Sequence, residues 1–138
     1  EIPVWNAPGE VLAQETFQAL AEAMLTEMVN RDRHQPSVLA WGIGDDFDSS
    51  DPRSRGYVER AAAVLRKLDE RPIYFGSRML SDDVCADVVD IAAANIPTHN
   101  VKHFRNLLSE WKLKHSAQPV VLLRYGKEVE PSNRSQGS

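Results

Sequence analysis

Four short apolar runs punctuate this chain, and helical periodicity fills most of the gaps between them. The runs are Val38-Leu39-Ala40-Trp41, Ile73-Tyr74-Phe75, Val88-Val89-Asp90-Ile91-Ala92 and Val120-Val121-Leu122-Leu123. None alternates regularly between apolar and polar residues. Strands apolar on both faces belong to parallel sheets covered by helices. Pro36, Pro72 and Pro119 precede three of the runs, at strand entries where a missing N–H does little harm. Three segments carry the other period. Phe17, Leu20, Ala21, Met24 and Met28 form one helical stripe that ends near Asn30, and Tyr57, Ala61, Val64, Leu65 and Leu68 form a second with Ser54 as its cap. Val101, Phe104, Leu107, Leu108 and Trp111 form a third, with Asn100 as N-cap. Asp82 to Asp87 reads as a helix-like linker, and Ile2 to Trp5 as the exit of an earlier strand.

This alternation means an α/β fold. A doubly wound sheet and a (β/α)8 barrel both satisfy it. A whole barrel takes about 250 residues, so 138 residues would supply roughly half of one. In both architectures functional groups gather at the C-terminal ends of the strands. That rule selects Asp45 and Asp46, then Ser77 and Arg78, then Asn95, and last Arg124 and Tyr125. From the residues alone, "WGIGDD" at 41–46 is equally a polar strand end closing a turn.

Composition removes several function classes. A formal net charge of −4 without any Lys/Arg run argues against a nucleic-acid partner. No apolar run approaches a membrane span. The single cysteine, Cys85, allows no internal disulfide and reads as inert. His99 and His103 lie four apart, but with the helix starting at Asn100 they do not share its face, and no metal or cofactor is expected. Gly42 and Gly44 lack the residues of a phosphate-binding fingerprint. Trp5 and Trp41 have aromatic faces that suit a sugar ring. The sequence opens without the basic and apolar regions of a signal peptide, as though entering partway through a structural element, so the compartment stays open. Residues 1–127 are expected to form the barrel segment, and 128–138, rich in Ser, Gly and Asn, a polar loop or tail.

The stretch from Asn30 to Asp46, NRDRHQPSVLAWGIGDD, resembles the "RDRNHPSV-x-x-W-S-x-G-N-E" signature of glycoside hydrolase family 2. Four further pieces follow in register. Ile2 to Trp5 is similar to that family's third barrel strand, Leu68 to Ile73 to the entry of its fifth, Asp87 to Ile91 with Asn95 to its sixth, and Gln118 to Gly126 to its seventh. The resemblance implies a partial (β/α)8 barrel, a carbohydrate ligand, and substrate contacts from Asp45, Trp5, Asn95 and Tyr125. It also implies that Asp46 holds the acid/base position and Arg124 the nucleophile position, both filled by Glu in the family. A retaining glycosidase attacks the anomeric carbon with a carboxylate. A guanidinium has no lone pair to offer, and Asp for Glu shortens the acid's reach. The expectation is a catalytically inactive barrel segment with a carbohydrate-binding or structural role in a larger protein. An active glycosidase drawing carboxylates from elsewhere, with Glu128 or Glu130 as replacements, and a protein-interaction module are the alternatives. An Asp46–Arg124 ion pair is expected in place of the catalytic pair. Open sheet edges are expected to join the rest of a parent chain or a second copy.

Overall fold

The computed structural model describes residues 1–78, 81–98 and 100–126. The helices are α1 (Gly9–Leu12), α2 (Glu15–Asp32), α3 (Ser54–Leu68) and α4 (Val101–Lys114). The strands are β1 (Trp41–Asp45), β2 (Ile73–Ser77), β3 (Ile91–Ile96) and β4 (Val120–Tyr125). All strand pairs are parallel and the order is β1-β2-β3-β4. A doubly wound sheet reverses its strand order at a switch point. This sheet runs in one direction throughout, as a barrel wall does. Ile2 to Trp5 runs along the free side of β1 through one parallel bridge, Trp5 to Asp45. The Ile2 N–H also donates to the Gly42 carbonyl at 3.2 Å, and Asp45 N–H to the Val4 carbonyl at 2.8 Å.

The core lies between the sheet and the helices. Trp41, Ile43, Phe47, Tyr57, Leu65, Ile73, Phe75 and Trp111 are its large buried members. Phe47 meets Tyr57 edge-on at 5.8 Å and Phe75 at 4.9 Å. The Tyr57 hydroxyl donates to the Ile43 carbonyl, which supplies the partner a buried phenol needs. Burial raises its pKa. Arg60 ties α3 to α2 through Glu15 and Glu22.

Several boundaries differ from expectation, each for a local reason. Strand β1 begins where the apolar run ends. A turn closes from Val38 N–H to the Gln35 carbonyl, and Leu39 is exposed. The strand is instead Trp-Gly-Ile-Gly-Asp, because its neighbours come too close for side chains. A Cβ on Gly42 would lie 2.8 Å from Glu1 and 2.9 Å from the Tyr74 ring. Gly44, at φ +145°, would push a Cβ to 2.7 Å from the Val4 carbonyl. Strand β3 likewise begins at Ile91. Val88 ends a short 3-10 turn, Ala86–Val88, the only helical part of the expected linker, and Asp90 accepts from Ile73 N–H at 2.9 Å.

On α2 the buried stripe is Ala21, Leu25, Met28 and Val29, with Phe17 and Met24 beside it. Leu20 lies off it, 61% exposed. Val101 is exposed at the start of α4. Ser54 is the first residue of α3 and not its cap, and its hydroxyl donates back to the Asp48 carbonyl. Asn100 does cap α4, accepting from Lys102 and His103 N–H at 3.1 Å each. Strand β4 is not covered on both faces. Val120 and Leu122 pack on the core, whereas Val121 and Leu123 are exposed. They line an apolar cavity of about 490 Å³ with Leu39, Tyr74, Ile91 and Ala93. Glu128, Glu130 and His99 lie outside the described residues.

Candidate functional site

The strand ends converge on one amide. Asp45, the last residue of β1, is 5% exposed. Asp46 follows in the left-handed conformation, φ 56°, which Asp tolerates better than most residues. Its N–H donates to the Gly76 carbonyl of β2 at 2.9 Å. The reversal brings the Asp46 carboxyl back beside that of Asp45. From β3, the buried Asn95 gives Nδ2 to Asp45 Oδ1 and to Asp46 Oδ1, both at 2.7 Å. With two anionic acceptors on its NH2 group the amide orientation is fixed, and the buried Oδ1 has no hydrogen-bond partner. From β4, Arg124 Nη2 pairs with Asp45 Oδ2, while Nη1 stands 3.5 Å from Asp46 Oδ2.

The expected partner of Arg124 was Asp46, but Asp45 is the closer one. Asp45 belongs to the strand, so its side chain shares the inner side of the sheet with Arg124. Asp46 lies past the strand end and meets the guanidinium only at its fringe. Gly76 makes this possible, since a Cβ there would overlap Asp45 Oδ1 and crowd Asn95 Nδ2 at 3.0 Å. A glycine inside a strand marks such a close approach, and that was the available signal for a residue the sequence reading passed over. Asn6, also passed over, accepts from Arg78 Nη2 at 2.8 Å.

Above the network opens a cavity of about 500 Å³ lined by Asp46, Arg78, Asn95, Pro97, Arg124 and Tyr125. Asp45 lies beneath it. Tyr125 is 78% exposed, an aromatic surface beside polar groups. Trp5 is exposed and joined to Asp45 by its backbone bridge, but it does not line this cavity. Among the described residues no three His, Cys, Asp or Glu side chains are placed to hold a metal ion, and no helix is long and apolar enough to cross a membrane. Cys85 is buried away from the cavity, and burial, aided by Asp83, pushes its thiol up to about 12.

Comparison with known proteins agrees with this geometry. Residues 5–136 match the model of the glycosyl hydrolases family 2 TIM barrel domain. A β-glucuronidase of Streptococcus agalactiae serotype V is 25% identical over 133 residues, 86% of this chain and 22% of that protein. Among solved structures, a β-glucuronidase from an uncultured Clostridium superposes with TM-score 0.77 at 26% identity, over 84% of this chain and 22% of the other. A family 2 β-galacturonidase from Eisenbergiella tayi bound to galacturonate reaches TM-score 0.82 over 97% of this chain and 27% of its own, and at 21% identity it speaks for the fold alone. The chain therefore spans about a fifth of the length of the curated relative it matches. Strand order, the cluster at the strand ends and the family match together show that this chain belongs to the TIM barrel domain of glycosyl hydrolase family 2.

Proposed function

We propose that this barrel segment has lost glycoside hydrolysis and keeps its mouth as a carbohydrate-binding site within a larger protein. The observation that carries the reading is the guanidinium of Arg124 at the end of β4, paired with Asp45 and 3.5 Å from Asp46, where the family resemblance implies a nucleophilic carboxylate. A double-displacement mechanism needs one carboxylate free to attack and a second to protonate the leaving oxygen. Here both aspartates are already engaged by Asn95 and Arg124. The remaining polar groups and the exposed Tyr125 suit a ring with hydroxyls on its edge and an apolar face. The relatives include proteins named β-glucuronidases. Arg78 lines the cavity with its guanidinium bonded to the neutral Asn6 amide oxygen, so an acidic sugar is the expected ligand.

In the same reading, the open side of β4 is where further strands add, from the parent polypeptide or from a second copy. The isolated chain should then associate in light scattering, and a monodisperse monomer at high concentration would count against it.

The deciding experiment offers the intact protein aryl β-D-glucuronide, β-D-galacturonide, β-D-galactoside and β-D-mannoside, and titrates the matching methyl glycosides by calorimetry. The expected result is binding without release of the aryl group. Turnover that disappears in Asp46→Ala would show a working enzyme instead. Absence of any binding would leave a structural role.

A further inference from the structure

A second buried carboxyl lies behind the mouth, and no part of the proposed site uses it. Asp83 is 3% exposed. Its Oδ2 accepts from the hydroxyls of Ser49, at 2.7 Å, and of Ser77. Its Oδ1 accepts from the N–H groups of Cys85 and Ala86, at 2.8 Å each. Both serines are fully buried. Each belongs to a different strand end: Ser49 is three residues beyond Asp46, and Ser77 immediately precedes Arg78. The union is reinforced from outside. Val84 N–H donates to the Ser49 carbonyl at 3.0 Å, and Lys114 of α4 donates to the carbonyls of Ser81 and Asp83 at 2.9 and 3.2 Å.

We infer that Asp83 is the positioning residue of the mouth, locking the segments after β1 and β2 into one unit and so setting where Asp46 and Arg78 stand. It touches no part of the cavity. A buried carboxyl is costly without partners, and this one has four donors drawn from three segments. Removing it leaves two N–H groups without their acceptor and the two buried hydroxyls, 3.3 Å apart, with only each other, which favours opening of those segments together. Its consequence for ligand affinity rests on the carbohydrate reading of the mouth; the coupling of the two segments does not.

Hydrogen–deuterium exchange on the intact protein tests the coupling. In Asp83→Ala, amides of residues 46–50 and 81–86 should exchange faster together, on the order of tenfold or more, while β3 and β4 keep their protection. Asp83→Asn should restore most of it, because an amide oxygen still accepts from Cys85 and Ala86 and the serine hydroxyls can turn to meet the NH2 group. If Asp83→Ala does not fold, Ser49→Ala removes only the side-chain bond to the β1 segment, leaving the backbone bond from Val84, and should loosen 46–50 alone and to a smaller degree. Faster exchange throughout the sheet, loosening confined to 81–86, or no rescue by Asn would overturn the inference. Affinity for methyl β-D-glucuronide should fall about tenfold in Asp83→Ala, as misplaced binding groups imply. If the unaltered protein binds no glycoside, the carbohydrate reading falls, and the exchange pattern alone decides the role of Asp83.

Discussion

Replacing Gly76 by alanine would put a methyl group where Asp45 Oδ1 now sits. The carboxyl would have to leave Asn95, or β2 would have to move away from β1. Overpacking of this kind costs about 1–3 kcal/mol, so Gly76→Ala should lower the thermal midpoint, and a melt unchanged from the natural protein would show that the site has slack. The residue scale is also where the sequence was most and least informative. Asp45, Asp46, Asn95 and Arg124 were legible because barrel strands deliver their last residues to one rim. Which aspartate would hold Arg124 was not legible. That depended on the left-handed backbone at Asp46, whose N–H bonds to β2 and whose carboxyl bonds to Asn95 of β3, both distant in sequence. Gly76 and Asn6 escaped notice because each acts through a neighbour from another strand or loop.

Among the elements, α4 offers the simplest test. Asn100 is its cap, bonded to two of the N–H groups that a helix start leaves without partners. Asn100→Ala should cost about 1 kcal/mol, measurable as a lower urea midpoint with an unchanged slope. Helix positions were readable because their stripes repeat over several turns, and even there Leu20 and Val101 were assigned to the wrong side. Strand positions were less readable. Val38-Leu39 and Val88-Val89 are β-branched or large and have the local look of strands, whereas the sheet uses Gly-Ile-Gly and Ala-Ala-Ala. Small residues have weak strand preference in isolation. At Gly42 and Gly44 they are used because Glu1, Tyr74 and Val4 come too close for a side chain, a tertiary demand invisible to local pattern.

For the molecule as a whole, acid is the informative variable. Asp69 is held below the usual carboxylate range by the Arg71 backbone N–H, with Trp41 Nε1 also donating to it. Asp87 is held down by its two-pronged bond to Arg55. A depressed folded-state pKa contributes stability that is present above the unfolded value, near 3.9, and lost as pH falls through the lower folded value. Urea unfolding should therefore show stability falling below about pH 4. Arg55→Met should flatten that fall while lowering stability at neutral pH by less than about 1 kcal/mol, since the pair is solvent-screened. An identical pH profile in the variant would remove Asp87 from the account.

The pairing of Asp45 with Arg124 also has a mechanical meaning. It joins the first strand to the last, 79 residues apart, over two intervening strands. Laid flat, three strand spacings amount to about 14 Å, and bending shortens that path on the concave side. The ion pair is thus a chord drawn across an arc, and it resists the arc's opening. An Arg124→Met protein should keep every strand and still flatten, because the chord that holds the wall bent would be gone.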